Sequence, residues 1–505
     1  MFFKDKLAEK IHLYDGSKGF LIMQRGLEPG DCPDAWNLSR PDDVYDIHKA
    51  YVDAGSEVIQ TNTLQSSRYH LEARGLYEKL NEINRAGVAL AKKAAGGKAL
   101  TAASISPLGV LMAPYGDLVY EDAYNAFSEQ ISALLDAGVD ILHFETFTDL
   151  SELRVAVTAA KELSRRTPVI ATVSVDNGGR TVMGDAADCT AAALAALGAD
   201  CAGANCGLPP RELLSKFAPF SAFNAPLCSK PNAGAPSIVD GAVNYGATAE
   251  EFYETAFGFA RLGARLIGGC CGSGPDHIRM LKTAVDAMNA DRAYDYANIN
   301  AGAAPANGNI TLYSHAKKAV FPREALVAYV KEAYGEAAAK NHGAADSPGY
   351  YESADGKLLT VDLSFLIDNN AAGRKYTKDM YSDIIVDALA EAGGYDAEAT
   401  VFGAFTVRGG AGSAPGRADG KSGGKSGGKS CGIPTGEDAE TVFGLIAENA
   451  RAYHNKPLIF YTDAVSALRG AVKRYCGVPA VIIEKSEEEN ARKTVSDLGP
   501  VIIGI

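Results

Sequence analysis

The stretch ARLIGGCCG at residues 264–272 is a short apolar run that ends in two adjacent cysteines flanked by glycines. A similar run, CAGANC at 201–206, ends in Cys206. Both runs have the form of a buried parallel strand that leads into a functional loop. Neighbouring cysteines point different ways along an extended chain and form only a strained disulfide, so a cross-linking role is disfavoured. Thiolates meeting at strand ends suit zinc, with one coordination position left open. Such an open site predicts a protein that activates a thiol.

Eight short apolar runs alternate with longer helical patterns between the N-terminus and about residue 290. One spacer, YEDAYNAFSEQISALLDAG at 120–138, repeats its apolar residues at helical spacing and ends on a glycine, which is C-cap chemistry. Eight βα units predict an α/β fold, a (β/α)8 TIM barrel, with an open doubly wound sheet as the structural alternative. The predicted strands are IHLYDG (11–16), EVIQTNT (57–63), LTAASIS (100–106), DILHFET (140–146), PVIATVSV (168–175), CAGANC (201–206), APLCSKPNAG (225–234) and ARLIGGCC (264–271).

Polar residues collect where these apolar runs end. The carboxyl ends of barrel strands share one face, and active sites are built on that face. We therefore expect a single site that combines the three cysteines with polar side chains from other strands. Its members are Asp15, Thr63, Ser104, Glu145, Cys206, Asn232, Cys270 and Cys271.

Bulk composition excludes several classes of function. The chain has 505 residues with 47% hydrophobic and 22% charged content, which is typical of a globular protein of two or three domains. Its net charge of −13 argues against binding to nucleic acid or to an anionic membrane. Nine unevenly spaced cysteines do not form a secreted disulfide framework, and no apolar run reaches spanning length. The N-terminus lacks the pattern of a signal peptide, and a cytoplasmic location is expected.

The regular alternation of apolar runs and helical patterns ends at about residue 290. We predict a barrel domain at 1–290, a linker at 291–310 and a smaller α/β domain of uncertain role at 311–505. The GGKS repeats within 408–432 are low-complexity sequence, predicted to be a flexible insertion rather than a phosphate loop. The tail at 456–505 loosely resembles part of a second barrel, as in the pterin-binding domain. A docking module is the other interpretation.

With the cysteines placed, the first 290 residues resemble the homocysteine S-methyltransferase family. The resemblance implies a zinc-dependent (β/α)8 barrel in which Cys206, Cys270 and Cys271 match the zinc ligands. It also implies a homocysteine pocket, with Asp15, Thr63, Ser104, Glu145 and Asn232 at substrate-contacting positions. The sequence departs from the family at Ser17, Lys18, Phe20 and Leu64. The matching stretches are DGSKG (15–19), AGSEVIQTNT (54–63), SISPLG (104–109), DAGVDILHFETFTDLSEL (136–153), GANCG (203–207), PNAGAP (231–236) and GGCCGSGPDHI (268–278).

The resemblance predicts transfer of a methyl group to the thiol of homocysteine, giving methionine. Zinc deprotonates a coordinated thiol, so the metal site serves as the catalytic machinery and no further catalytic residue is assigned. The methyl donor stays open, because the chain lacks a DxHxxG corrinoid motif. Methylcobalamin on a partner corrinoid protein, S-methylmethionine and betaine are the options. Two alternatives remain: a related methyltransferase for another thiol or selenol, and a non-catalytic barrel, with structural thiols, that serves assembly or regulation.

Overall fold

In the computed structural model, residues 6–291 are described except for 8, 29, 224 and 240–241. The remainder of the chain is described only in shorter segments. These are residues 309–314, 316–322, 349–352, 358–362, 388–390, 392, 399–403, 443, 446–447, 449–450, 457–461, 465–477, 479–483, 488–498 and 500–504. The proposed insertion at 408–432 and nearly all of the proposed linker, residues 292–308, lie outside the described residues.

A single eight-stranded parallel sheet dominates the first 290 residues. Each predicted apolar run overlaps one of its strands. The strands are β1 (His12–Leu13), β2 (Val58–Gln60), β3 (Leu100–Ile105), β4 (Ile141–Phe147), β5 (Val169–Val173), β6 (Cys201–Asn205), β7 (Leu227–Lys230) and β10 (Ala264–Ile267). A short antiparallel hairpin, β8 (Pro236–Val239) and β9 (Ala242–Tyr245), follows β7 and stands outside the barrel sheet.

The sheet closes on itself. Its strand order is β1-β10-β7-β6-β5-β4-β3-β2, and Tyr14, just after β1, forms a parallel bridge with Val58 of β2. Two backbone hydrogen bonds support this closure, from Glu57 N to Leu13 O at 2.8 Å and from Asp15 N to Val58 O at 3.1 Å. Closure removes the free strand edges that an open sheet would leave. The predicted (β/α)8 barrel is therefore confirmed, and the doubly wound alternative is wrong.

Helices surround the barrel because each has an apolar face that is buried against its neighbours. In α5 (Leu80–Ala95), Leu80, Ile83 and Val88 recur at helical spacing on the buried side, and the helix ends at Gly96 in the left-handed conformation. Val88 belongs to the main core between the helices and the barrel strands, whereas Leu80 and Ile83 join a smaller cluster with Cys32, Leu71 and Ala133. The helices of this region are α1 (Lys18–Gln24), α2 (Trp36–Ser39), α3 (Pro41–Asp53), α4 (Arg68–Glu72), α5 (Leu80–Ala95), α6 (Tyr120–Asp136), α7 (Leu150–Leu163), α8 (Ala187–Ala196), α9 (Pro210–Phe217), α10 (Ala249–Arg261) and α11 (Pro275–Ala290).

A second sheet lies in the C-terminal part of the chain. Its strand order follows the sequence, and every pair is parallel except the first. A separate hairpin, β11 (Asn309–Tyr313) and β12 (Lys318–Pro322), precedes it. The sheet comprises β13 (Gly349–Glu352), β14 (Leu358–Asp362), β15 (Ala399–Gly403), β16 (Leu458–Tyr461), β17 (Ala480–Ile483) and β18 (Val501–Gly504). Helices α12 (Val465–Arg474) and α13 (Glu488–Val495) belong to this part.

Helix α12 and the turn after it pack on helix α7 of the barrel. The guanidinium of Arg154, in α7, is 2% exposed and donates to Val472 O at 3.0 Å and to Gly477 O at 3.1 Å. Cys476 joins Leu150 and Ala193 in a small buried cluster. Arg469 and Lys473 of α12 also pair with Glu162 of α7, at 2.9 and 3.1 Å, so the interface combines packing and buried hydrogen bonds with surface ion pairs. Among the described helices, none is long and apolar enough to cross a membrane.

Candidate metal centre and substrate cavity

The three predicted cysteine ligands converge at the carboxyl ends of β6 and β10. The sulfur atoms of Cys206, Cys270 and Cys271 all lie within 4.8 Å of one another, and those of Cys206 and Cys271 are 3.7 Å apart. A metal with tetrahedral bonds of about 2.3 Å to sulfur holds such atoms about 3.8 Å apart. All three side chains are partly exposed. The arrangement fits a metal ion with room for one further ligand, and it is the only such group of three among the described residues.

Special backbone conformations set this geometry. Cys206 has φ = +60°, which is uncommon for a residue with a side chain, and it turns the chain sharply as β6 ends. Gly207 follows with φ = +70°, and a Cβ there would lie 2.5 Å from Val175 O. At Gly272, with φ = +77°, a Cβ would lie 2.1 Å from the ring of Tyr245. The flanking glycines are therefore required for the turns and for the close approach of Tyr245.

Asn205 ties two strand ends together immediately beside the cysteines. Its Oδ1 accepts hydrogen bonds from Thr146 N at 2.8 Å and from Thr172 Oγ1 at 2.6 Å. Its Nδ2 donates to Thr146 Oγ1 at 2.7 Å and lies 3.5 Å from the sulfur of Cys270. Thr146 also has a positive φ, +63°, and this amide holds it in that conformation. Asn205 thereby couples the end of β4 to the cysteine cluster.

Glu145, near the end of β4, is buried but remains charged. Its carboxylate accepts hydrogen bonds from Ser104 Oγ and, at 2.5 Å, from Gln60 Nε2. Burial alone would raise the pKa of this carboxyl, but the Lys230 ammonium, with smaller effects from His143 and Lys18, lowers the pKa to about 2. Glu145 is therefore an anion across the whole neutral range.

Two lysines provide the balancing positive charge. Lys230 lies at the end of β7, 1% exposed, with its ammonium 3.2 Å from Asp15 Oδ1, in contact with Gln60 Oε1 and 4.0 Å from the Tyr14 ring centre. Lys18 donates to the same Gln60 oxygen at 3.2 Å and lies 3.7 Å from Asp15 Oδ2. Although burial lowers the pKa of Lys230, Asp15 and Glu145 raise it above the ordinary value. The two carboxylates and two ammonium groups form a compact, neutral set.

His143 is a neutral hydrogen-bond relay within this set. Burial, the largest effect, together with the neighbouring lysines lowers its pKa to about 3. Its Nδ1 faces Tyr14 Oη at 2.9 Å and Gln60 Nε2 at 3.1 Å, and its Nε2 faces Thr172 Oγ1 at 3.0 Å. Because the Thr172 hydroxyl donates to Asn205, it accepts from His143, so the ring proton is on Nε2.

A cavity of about 630 Å³ opens above the cysteines. Its inner end is lined by Ser104, Glu145, Lys230 and the three cysteines, and Phe20 meets Tyr245 edge to face at 5.4 Å on its wall. Its outer half extends over the loops that follow β1 and β2. Residues lining that half are Met23, Leu27, Pro33, Asp34, Leu64, Gln65, His70 and Arg74.

The other predicted site residues fall into two groups. Ser104 and Glu145 line the cavity, whereas Asp15 and Thr63 are fully buried behind its wall. Asp15 accepts from Gln60 N at 2.8 Å, and Thr63 donates to Ser104 O at 2.9 Å. Asn232 lies against Cys206, with its own Oδ1 buried and unpartnered. Asp15, Thr63 and Asn232 therefore contact lining residues of the cavity without lining it themselves.

Several residues of the site escaped the sequence analysis. Gln60 and Lys230 are each the last residue of a short buried strand, and a long polar side chain at a buried position is a usable signal. His143 carries the same signal within β4. Lys18 stood out only as a departure from the family pattern, and the sequence offers no indication that its ammonium reaches Gln60. Tyr245 comes from a hairpin outside the repeating βα pattern, so periodicity does not identify it.

Known proteins match the first part of the chain. Residues 12–285 match the sequence profile of the homocysteine S-methyltransferase family. Methionine synthase of Mycobacterium leprae (strain TN) is 30% identical over 305 residues, which is 56% of this chain and 25% of that protein. Methionine synthase of Mycobacterium tuberculosis (strain ATCC 25618 / H37Rv) is 30% identical over 301 residues, with the same coverage. The matched region thus spans about a quarter of the length of these relatives.

Among solved structures, the metallated form of the homocysteine methyltransferase MmuM from Escherichia coli is similar to this chain. The two are 24% identical, with a TM-score of 0.47, and the alignment covers 54% of this chain and 96% of that one. The family profile covers more than half of the present chain and includes every barrel strand and all three cysteines. The chain belongs to the homocysteine S-methyltransferase family.

Proposed function

We propose that this protein transfers a methyl group to the thiol of homocysteine, giving methionine, with zinc held by Cys206, Cys270 and Cys271. The observation that carries the proposal is the convergence of three sulfur atoms at the inner end of a cavity. A set of three thiols is the donor chemistry that zinc prefers, and zinc ligation keeps a bound thiol deprotonated and nucleophilic.

The chain's own residues supply binding and orientation. Glu145 is a permanent anion beside the cysteines, suited to the ammonium group of an amino acid. Ser104 orients that carboxylate through its hydroxyl. Direct substrate contact is therefore proposed for Glu145 and Ser104, and a positioning role for Asp15, Thr63 and Asn232. The thiol proton leaves through the open cavity, so the reaction needs no dedicated base.

The decisive experiment measures zinc content and the sulfur neighbours of zinc by X-ray absorption, with and without homocysteine. We expect one zinc per chain, with three sulfur neighbours becoming four when homocysteine binds. If homocysteine leaves the sulfur neighbours of zinc unchanged but a different thiol adds a fourth sulfur, the substrate is that other thiol. A chain without stoichiometric zinc would contradict the catalytic proposal.

We also infer the domain division from the element pattern. The barrel strands and α11 end by residue 290, and the next described strand begins at Asn309. This supports a barrel domain at 1–290, a linker at 291–310 and a separate α/β domain at 311–505. The sequential strand order of the C-terminal sheet is typical of consecutive βα units, which supports the resemblance of the tail to part of a second barrel.

A further inference from the structure

Lys18 is a position at which the chain departs from the family pattern, and it lines the inner part of the cavity together with Gln60 and Glu145. Its ammonium donates to Gln60 Oε1 at 3.2 Å. The amide nitrogen of the same Gln60 donates to Glu145 Oε1 at 2.5 Å. One side-chain amide therefore separates the Lys18 ammonium from the Glu145 carboxylate, so a cation and an anion lie side by side on the cavity wall.

The members of this charged set differ in their access to the cavity. Asp15 is 0% exposed and does not line the cavity, and Lys230 is 1% exposed. Glu145 and Lys18 are the more accessible pair, at 5% and 8%. The charges of the set that a bound molecule can reach are thus mainly those of Lys18 and Glu145.

The Lys18 ammonium also has hydrogen-bonding capacity to spare. A lysine ammonium carries three N–H donors. Among the described residues, Gln60 accepts from one of them, and Asp15 Oδ2, at 3.7 Å, is too distant for a hydrogen bond. The Lys230 ammonium, by contrast, is engaged by Asp15 Oδ1, by Gln60 Oε1 and by the face of the Tyr14 ring. Lys18 is therefore the lysine that can bind a further anion.

The loop that carries Lys18 is fixed by contacts that need no ligand. Ser17 N donates to Ser273 O at 2.9 Å, and Tyr51 Oη donates to Ser17 O at 2.8 Å. Ser17 Oγ accepts from Phe20 N at 3.2 Å and caps the first turn of α1. Only the end of the lysine side chain has to adjust when an anion binds, which keeps the entropic cost of binding low.

We propose that Lys18 binds the carboxylate of the amino-acid substrate while Glu145 binds its ammonium. This inference rests on the proposed function. In an α-amino acid the two charged groups are attached to one carbon, so they match a cation and an anion that are one amide apart. A carboxylate on a lysine ammonium makes charge-assisted hydrogen bonds, which are about twice as strong as neutral ones. The site therefore selects α-amino-acid thiols over thiols that carry only one of the two charges.

Balancing the buried carboxylates is the other role open to Lys18, and the two roles can be separated. Lys230 lowers the pKa of Glu145 more than Lys18 does, so Glu145 stays charged when Lys18 is replaced. Asp15 likewise keeps Lys230 at 3.2 Å and Gln60 N at 2.8 Å. A substitution at position 18 therefore removes the proposed carboxylate contact without discharging either acid.

The test measures, by calorimetry on the full zinc-loaded chain, the Kd of homocysteine and of two analogues. Aminopropanethiol is homocysteine without its carboxylate, and mercaptobutanoate is homocysteine without its ammonium. We expect Lys18→Met to weaken homocysteine and mercaptobutanoate by roughly 10- to 100-fold more than aminopropanethiol, because only those two lose a hydrogen bond to a charged group. Glu145→Gln should give the reciprocal pattern, with the larger losses for homocysteine and aminopropanethiol.

A second variant and a matched control accompany this test. Lys18→Gln keeps an N–H for Gln60 Oε1 and carries the same expectation if methionine disturbs the loop. The control is Lys161→Met. Lys161 also pairs with an aspartate in a half-buried position, Asp200 at 2.7 Å, but it does not line the cavity. This control should leave all the Kd values within about twofold of those of the unmodified chain.

Equal weakening of the three thiols in the Lys18 variants, a larger loss for aminopropanethiol, or no loss at all would overturn the inference. Lys18 would then only balance charge. The proposed function would stand in that case, because homocysteine would still bind the unmodified chain. Failure of the unmodified zinc-loaded chain to bind homocysteine would instead remove both.

Discussion

Under the proposed function, substrate orientation depends on Glu145. Its charge is retained inside the barrel because Lys230 and Lys18 lie within the same hydrogen-bonded set, bridged by Gln60. A buried carboxylate without such partners would take up a proton. With a pKa of about 2 in the folded chain, Glu145 does not titrate near neutrality, and it contributes to pH-dependent stability only below its unfolded value of 4.5. Homocysteine binding should therefore not show a carboxylate titration between pH 5 and 8.

Cys271 allows the most direct test of the metal site. Replacing it with serine exchanges a thiolate for a hydroxyl, a poor zinc ligand, and leaves two sulfur ligands. We expect Cys271→Ser to abolish tight zinc binding and methyl transfer while the circular dichroism spectrum stays that of a folded barrel.

The control for this variant is Cys189→Ala. Cys189 is buried within α8, away from the cluster, and alanine is a good helix former. The control should keep its zinc and its activity. Full methyl transfer by Cys271→Ser would rule out the zinc–thiolate mechanism.

At the scale of elements, the site depends on how β4 and β6 end. Asn205 joins these ends by two hydrogen bonds to Thr146, which it holds at a positive φ. We predict that Asn205→Ala weakens zinc binding by roughly 10- to 100-fold, the usual cost of losing an outer partner of a metal ligand. The measurement is a competition titration against a chelator, with thermal unfolding in parallel.

Asn84→Ala separates this effect from general loss of stability. Asn84 is also buried, but it bonds Ser66 O and Leu80 O on the outside of the barrel. Both variants should lower stability by about 1–3 kcal/mol, since each leaves buried groups unpaired. Only Asn205→Ala should affect zinc. Equal weakening in both would show that the strand-end bridge has no special role.

Glu152, in the first turn of α7, predicts a dependence of stability on pH. It is 5% exposed and accepts from Leu108 N at 2.6 Å, and burial raises its pKa from 4.5 to about 8. Between these values the unfolded chain releases a proton that the folded chain retains. Stability therefore falls as pH rises through this window, by up to about 1.4 kcal/mol per pH unit.

Glu152→Gln removes this titration and keeps the acceptor for Leu108. We expect the urea midpoint of the variant to exceed that of the unmodified chain at pH 8, and the difference to shrink towards pH 5. Glu82→Gln, at an exposed position in α5, should leave the midpoint unchanged at both values. The raised pKa of Glu152 would be contradicted if the stability of Glu152→Gln relative to the unmodified chain were lower at pH 8 than at pH 5.

At the scale of the whole molecule, the barrel was predictable because local signals agree with the global fold. Each strand overlaps a short apolar run, and every run except PVIATVSV (168–175) ends at a polar residue, a glycine or a cysteine. The cysteine cluster was also predictable, since parallel strands bring their carboxyl ends to one face. The buried polar and charged residues were harder to predict, because Lys230 or Gln60 alone does not reveal its partner on another strand. The interface between the barrel and the C-terminal part depends on contacts more than 300 residues apart, which periodicity cannot show.

The contacts of that interface determine how stably the C-terminal part packs on the barrel. Arg154 is buried and donates to carbonyls in and just after α12, while Arg165 pairs with Asp497 at the exposed edge of the same contact. Losing the buried donor leaves two carbonyls unpaired, at about 1–3 kcal/mol, whereas an exposed ion pair contributes little. We therefore expect Arg154→Met to speed amide hydrogen exchange across residues 465–477 by roughly 10-fold or more, with homocysteine binding retained. Arg165→Met should leave exchange there nearly unchanged. Comparable acceleration in both variants would mean that surface charge, rather than the buried guanidinium, holds the two parts together.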